Sequence, residues 1–292
     1  MKGRAITTNN TIFNVYNETK KRLERFGIED YGFEARVIIK HITGFDNKKI
    51  MMNYNALLSP YQLKQIEDII MKRQARYPLQ YILGEWSFYG RTFKVGEGVL
   101  IPRADTEIVV ETALNLIKDT INPGVLDLCA GSGAIGLTLS LEREDSNVTL
   151  LEKHTPALRY CKLNKDLLSA DNAQCINGDV FTGDCSNGKF DLIVSNPPYV
   201  SEDDMKTLQP EVGYEPVVAL CPGSDELLFY REIVKNYKKA VNPGGAFCFE
   251  VGINQADSVK EILSSAGLKN VEAVKDYAGI DRVVFGTVSE VQ

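Results

Sequence analysis

Histidine is scarce in this chain: His41 and His154 are the only two in 292 residues, and they lie far apart. That excludes a histidine-built metal centre and argues against imidazole as a catalytic base. The six cysteines (Cys129, Cys161, Cys175, Cys185, Cys221 and Cys248) include no Cys-x-x-Cys pair. Zinc ribbons and disulfide frameworks therefore drop out, and the thiols are expected to stay reduced, as in a cytoplasmic protein. No apolar run approaches the length of a membrane span, and the front of the chain lacks the apolar stretch of a signal peptide. Internal repeats and low-complexity segments are absent too.

What is present suits two domains of ordinary composition, with 44% hydrophobic residues. The net charge of −6 is unevenly spread. Residues 1–85 hold 14 Lys and Arg against 9 Asp and Glu, net +5, whereas the other 207 residues hold 19 against 30, net −11. A basic front suits an acidic or ribosome-associated partner. The acidic remainder counts against direct nucleic-acid binding, which needs Lys and Arg beside the phosphates.

The front of the chain reads as a helical bundle. Ile12, Val15, Tyr16, Thr19, Leu23 and Phe26 share one helical face, and Gly27 stands at a helix stop. Residues 33–42 form a second helix closed by Gly44. Ser59-Pro60-Tyr61-Gln62 opens a third with a Ser cap, Pro at the first helical position and Gln three after the cap. Pro78 closes the region. Aromatic residues interleaved with Gly84, Gly90, Gly96 and Gly98 then predict a β-hairpin linker over 84–103. Beyond it, strands are expected at 124–129, 147–151, 173–177, 190–195, 245–250, 271–275 and 282–286. Helices are expected at about 105–118, 133–142, 155–170, 224–240 and 254–266. That alternation means a mostly parallel sheet with helices on both faces. The expected domains are 1–83, a helical substrate-binding unit; 84–103, the hairpin; and 104–292, the catalytic unit.

Asp127-Leu128-Cys129-Ala130-Gly131-Ser132-Gly133 follows the first of these strands and opens a helix, and Gly131, Gly133 and Gly136 satisfy GxGxxG. Glu152 follows near the end of the next strand. A dinucleotide would set its pyrophosphate beside Asp127, where like charges repel. S-adenosylmethionine carries no phosphate, and its ammonium and sulfonium suit an acidic pocket. On that reading Cys129, Ala130, Gly131, Ser132 and Gly133 form the donor loop and Glu152 accepts from the ribose hydroxyls. Asp179 accepts from the adenine amino group, and Val180 packs on the ring. Asn196 also borders the donor.

Asn196-Pro197-Pro198-Tyr199 follows an apolar strand, Phe190 to Ser195. Two prolines force a stiff, extended loop. It offers the Asn196 side-chain oxygen and the Pro197 carbonyl as two acceptors for an NH2 group, with the Tyr199 ring as a wall. Those features make Asn196, Pro197 and Tyr199 the catalytic candidates and Asn196 through Tyr199 the substrate loop, with no metal.

With these motifs in place, the chain resembles the HemK-type protein-(glutamine-N5) methyltransferases, and among them the bacterial branch acting on release factors. Tyr77-Pro78-Leu79-Gln80-Tyr81-Ile82-Leu83-Gly84, Val99-Leu100-Ile101-Pro102-Arg103, Tyr214-Glu215-Pro216 and Asp281-Arg282-Val283-Val284 match further family segments. The family usually has Gly and Thr where Cys129 and Ala130 stand, Pro at Ala104, Asp at Glu152 and Gly at Glu226. The resemblance implies a seven-stranded, Rossmann-like class I methyltransferase sheet with its last strand antiparallel, behind an N-terminal helical bundle that binds the protein substrate. It implies methyl transfer from S-adenosyl-L-methionine, leaving S-adenosyl-L-homocysteine, to the glutamine of a Gly-Gly-Gln sequence in peptide chain release factors, by a cytoplasmic monomer. Glutamine methylation of a large-subunit ribosomal protein, an RNA or DNA amino methyltransferase and a non-catalytic binding protein stay open as alternatives. Tyr199→Phe is expected to be mild and Tyr199→Ala severe.

Overall fold

The structure, a computed structural model, describes residues 10–290. Two compact units make it up. One reaches to Gly84 and also takes in Pro210–Tyr214; the other holds the remainder.

In the helical unit, α1 (Ile12–Arg25) starts at Thr11, whose hydroxyl accepts from the Asn14 N–H, and buries Ile12, Val15, Thr19 and Leu23. Helix α2 (Tyr31–Thr43) ends at Gly44, whose φ of 67° suits only a residue without Cβ strain. Next come α3 (Asn47–Met52), capped by Asp46, and α4 (Pro60–Gln74), opened by the full Ser59–Gln62 capping box. Ile38, Ile39, Ile66 and Ile70 fill the space between α2 and α4. Two elements depart from the sequence reading. Helix α3 carries no amphipathic signal in six residues, and Pro78 does not end the region. Pro78 is instead the extended cap of α5 (Leu79–Leu83), where a residue lacking an N–H costs nothing. Arg73, 1% exposed, pairs with Glu34 and Glu211, and Arg76 joins Glu211. Because the desolvated Arg73 is met by two carboxylates, the Pro210–Tyr214 segment is held in this unit. The Tyr214 hydroxyl donates to the Ala75 carbonyl at 2.8 Å.

The second unit opens with a hairpin, β1 (Glu85–Phe88) and β2 (Arg91–Lys94), turned at Tyr89 and Gly90, both at positive φ. The expected hairpin ran to 103, but residues 95–103 continue without strand pairing. A 3-10 turn, Ala104–Thr106, leads into α6 (Glu107–Leu116). Then follow β3 (Gly124–Leu128), α7 (Ala134–Glu142), β4 (Asn147–Glu152), α8 (Thr155–Leu168), β5 (Ala173–Asn177) and β6 (Phe190–Ser195). The unit closes with α9 (Leu228–Tyr237), β7 (Val241–Glu250), α10 (Ala256–Ser265), β8 (Lys269–Lys275) and β9 (Asp281–Thr287).

The strands form one seven-stranded sheet in the order β5-β4-β3-β6-β7-β9-β8, parallel except for β9, which runs antiparallel to both neighbours. The expected class I sheet is therefore present. Successive strand residues feed opposite faces: Val125, Leu192 and Val194 meet α6 and α7 residues, while Leu126, Ile193, Phe247 and Phe249 meet α9 and α10 residues. Strand β7 starts at Val241, four residues before the expected 245, since Pro243-Gly244-Gly245 reads as a turn in sequence. A register shift at Phe190/Leu192 accommodates it, and Asp191 bridges Gly124 N–H and the Asn242 side chain at 2.8 Å each. Chain direction away from β3 reverses between β4 and β6, and the carboxyl ends of the strands there frame a crevice.

Candidate active site

One wall of the crevice is built on backbone. The Gly133 φ of 82° makes it the left-handed cap of α7, and a Cβ there would lie 2.8 Å from Leu137. A Cβ on Gly136 would meet Asp127 Oδ2 at 2.8 Å, so the third glycine lets α7 close on β3. Asp127, 1% exposed, accepts from Gly136 N–H through Oδ2 at 2.8 Å, while its Oδ1 has no partner among the described residues. Burial pushes its carboxyl up to about 8, the Gly136 N–H opposing and the Glu152 charge adding. Glu152 accepts from Gly131 N–H at 2.9 Å and from His154 N–H at 2.7 Å, and so ties the glycine loop to the end of β4. Although burial works against it, Lys153 Nζ at 2.8 Å and the Phe181 N–H hold Asp179 below the usual carboxylate range. Burial pushes the Cys129 thiol up, so it remains a neutral thiol.

The other wall combines backbone and side-chain contacts. Tyr199 and Val200 N–H both donate to the Leu220 carbonyl, at 3.0 and 2.8 Å, and Gln255 Nε2 donates to the Tyr199 carbonyl at 2.9 Å. The Tyr199 hydroxyl donates to Glu250 Oε1 at 2.9 Å, and its ring packs against Gly252. Asn196 Nδ2 donates to Thr106 Oγ at 3.5 Å. Among the described residues no hydrogen bond is made to the Pro197 carbonyl.

Between the walls lies a cavity of about 350 Å3. Of the residues singled out in sequence, Asp127, Cys129, Ala130, Gly131, Ser132, Glu152, Asp179, Val180, Asn196 and Pro198 line it. Gly133, Pro197 and Tyr199 stand just outside the lining. Arg103 and Thr106 also line it, and no sequence argument gave them a task. Arg103 pairs with Glu215, whose second oxygen accepts from Ile101 N–H at 2.8 Å. Glu250 was missed as well. The available signal was a lone acid closing the apolar run Ala246-Phe247-Cys248-Phe249.

No group of three or more His, Cys, Asp or Glu among the described residues could hold a metal ion, and no described helix is long and apolar enough to cross a membrane. The sheet order, its single antiparallel strand and the shared cavity under the two loops define an α/β methyltransferase of class I architecture. Residues 14–84 match the model described as PrmC N-terminal domain, and residues 106–211 the one described as methyltransferase small domain. Three curated relatives carry the name release factor glutamine methyltransferase. That of Fusobacterium nucleatum is 37% identical over 93% of this chain and 77% of its own length. Those of Clostridium acetobutylicum (36%; 94% and 96%) and Thermodesulfovibrio yellowstonii (40%; 86% and 91%) are similar. The chain belongs to the release factor glutamine methyltransferase family. Among solved structures, the hMettl16 catalytic domain in complex with MAT2A 3'UTR hairpin 6 shares the fold at a TM-score of 0.53 and 14% identity, covering 80% of this chain and 83% of that one.

Proposed function

We propose that this enzyme transfers a methyl group from S-adenosyl-L-methionine to the side-chain nitrogen of the glutamine in the Gly-Gly-Gln sequence of peptide chain release factors. The observation that carries this reading is a single cavity bordered on one side by Gly131, Glu152 and Asp179 and on the other by Asn196 and Pro198. The donor set fits S-adenosylmethionine: the carboxylates of Glu152 and Asp179, with an orphaned buried oxygen on Asp127, suit a cationic ligand without phosphate. When bound, it supplies an electrophilic methyl on a sulfonium. Gly131 to Gly133 would cradle it, and Glu152 keeps spare lone pairs for two hydroxyls.

The chain's own work is orientation. An amide nitrogen shares its lone pair with its carbonyl and is a poor nucleophile. Asn196 Oδ1 and the unclaimed Pro197 carbonyl can each accept one N–H of a glutamine side chain, aiming the nitrogen lone pair across the cavity. Holding two reactants in line lowers a barrier by at most about 7–11 kcal/mol, and the dry cavity adds electrostatic weight. The forward step needs no general base here, because the cationic nitrogen formed is acidic and loses its proton afterwards. The helical unit would dock the protein substrate, a role its exposed Met51, Met52, Leu57 and Tyr61 suit. The reading sets this work in the cytoplasm.

Mass spectrometry of full-length release factor incubated with enzyme and S-adenosylmethionine tests it. One added methyl on the Gly-Gly-Gln glutamine, lost with Asn196→Ala, is the expected result. Methylation of a ribosomal protein instead would move the substrate, and no methylated glutamine on either would overturn the reading.

A further inference from the structure

Beside the Asn196 loop stands a buried amide to which the reading above gives no task. Gln255 sits at the N-terminal cap of α10 and is 8% exposed, yet its side chain caps no N–H of that helix. It turns back instead, toward the residues after β7 and toward the loop. Its Oε1 accepts from Gly252 N–H at 3.0 Å. Its Nε2 donates to the Tyr199 carbonyl at 2.9 Å and to Glu226 Oε2 at 3.0 Å. A Cβ on Gly252 would lie 2.9 Å from Gln255 Oε1 and 3.0 Å from the Tyr199 ring, so this approach depends on a bare backbone there.

An amide has a donor end and an acceptor end, and its neighbours decide which end faces where. Gly252 N–H only donates, while the Tyr199 carbonyl and the Glu226 carboxylate only accept. One orientation of Gln255 satisfies all three, with both its protons committed and one of them on the loop. The loop needs that hold. Pro197 and Pro198 have no N–H and donate no backbone hydrogen bond, so the chain between Asn196 and Tyr199 is held through its ends. At the upstream end the Ser195 hydroxyl donates to the Leu128 carbonyl at 2.6 Å. At the downstream end Val200 N–H donates to the Leu220 carbonyl, and Gln255 takes the carbonyl of the same 199–200 peptide. A peptide plane gripped by both its N–H and its C=O cannot turn. We infer that Gln255, itself oriented by Glu226, is a positioning residue for the methyl transfer proposed above, on which this inference rests: it fixes the 199–200 peptide and with it the place of the Pro197 carbonyl two residues upstream.

The test uses the full chain with Gln255→Glu and Glu226→Gln combined. The exchange keeps charge and size. A carboxylate at position 255 still accepts from Gly252 N–H, and an amide at position 226 can donate to it. What is lost is the donor to the Tyr199 carbonyl. The expected loss in kcat is on the order of 10²-fold, the scale of a small misplacement of reacting groups, with donor affinity by calorimetry unchanged. Glu226→Gln alone keeps an oxygen that accepts from Gln255 and should lose far less. Gln255→Met, similar in shape but unable to donate, should slow turnover as the exchange does and guards against an effect of the new carboxylate. Hydrogen exchange followed by nuclear magnetic resonance supplies a second readout: in the exchange and in Gln255→Met, protection should fall at Tyr199 and Val200 N–H and stay intact along β6. A merely structural role would lower protection across the sheet and donor affinity together with kcat, and that pattern overturns the inference. So does wild-type kcat in the exchange and in Gln255→Met, or a loss in Glu226→Gln alone as large as in the exchange. If the wild-type chain methylates no glutamine at all, the functional reading fails and hydrogen exchange still decides this one: unmoved protection at Tyr199 and Val200 overturns it.

Discussion

The two walls of the cavity are held by different means. On the glycine-loop side a carboxylate, Glu152, gathers two backbone N–H groups, from Gly131 and His154. On the Asn196 side, beside two backbone bonds to the Leu220 carbonyl, the loop is met by distant side chains: Thr106 on Asn196, Glu250 on the Tyr199 hydroxyl and Gln255 on the Tyr199 carbonyl. In the function proposed, carboxylates gripping backbone N–H groups would give a fixed cradle for a small donor that is always the same. Side-chain contacts on the other wall would leave a loop amide that can be pointed, as the proposed acceptor with two N–H groups demands. If that division is real, damage to one wall should appear in donor affinity and stability, and damage to the other in rate.

The largest structural effect expected is for Tyr199→Ala, which removes a ring packed against Gly252 and the core under β7; about 3 kcal/mol should be lost in denaturant unfolding. Tyr199→Phe keeps the ring but strips a buried carboxylate of its hydroxyl donor. The structure therefore revises the mild effect expected from sequence to a loss of about 1–3 kcal/mol together with slower turnover. Glu152→Ala leaves two N–H groups without an acceptor. Unfolding measurements should show about 1–3 kcal/mol lost, and calorimetry should show weaker donor binding, with kcat at saturating donor nearly intact.

A pH-dependent effect concerns Asp127. Its folded carboxyl titrates near 8, above the unfolded value of 3.8, so the folded chain keeps a proton that the unfolded chain gives up. Stability from this group is full below about pH 4 and is lost as pH rises to about 8. Asp127→Asn should remove that decline, and the stability gap between variant and wild type should widen over this range. A gap that stays flat with pH would mean that Asp127 is ionised throughout.

The same contrast explains what could be read in advance. The glycine loop and Glu152 follow one another along the chain, so spacing alone brought them out. The seven strands showed for a similar reason, each being a short apolar run between turn residues. Thr106 and Asn196, like Tyr199 and Glu250, are far apart in sequence and meet only in the fold. No local pattern marks such a group. Helix α5 and the early start of β7 were missed for the opposite reason: Pro78 and Pro243-Gly244-Gly245 look like breaks, and the structure uses them as a cap and a strand with shifted register.

The most direct test of the division between the walls is a single-turnover methyl-transfer rate at saturating donor for Asn196→Ala, with donor affinity measured by calorimetry on the same preparation. A rate lower by on the order of 10²–10³-fold, the scale of losing one preorganised polar contact, with affinity close to wild type, is the predicted result. An intact rate with weakened donor binding would contradict the account and move Asn196 to the donor wall.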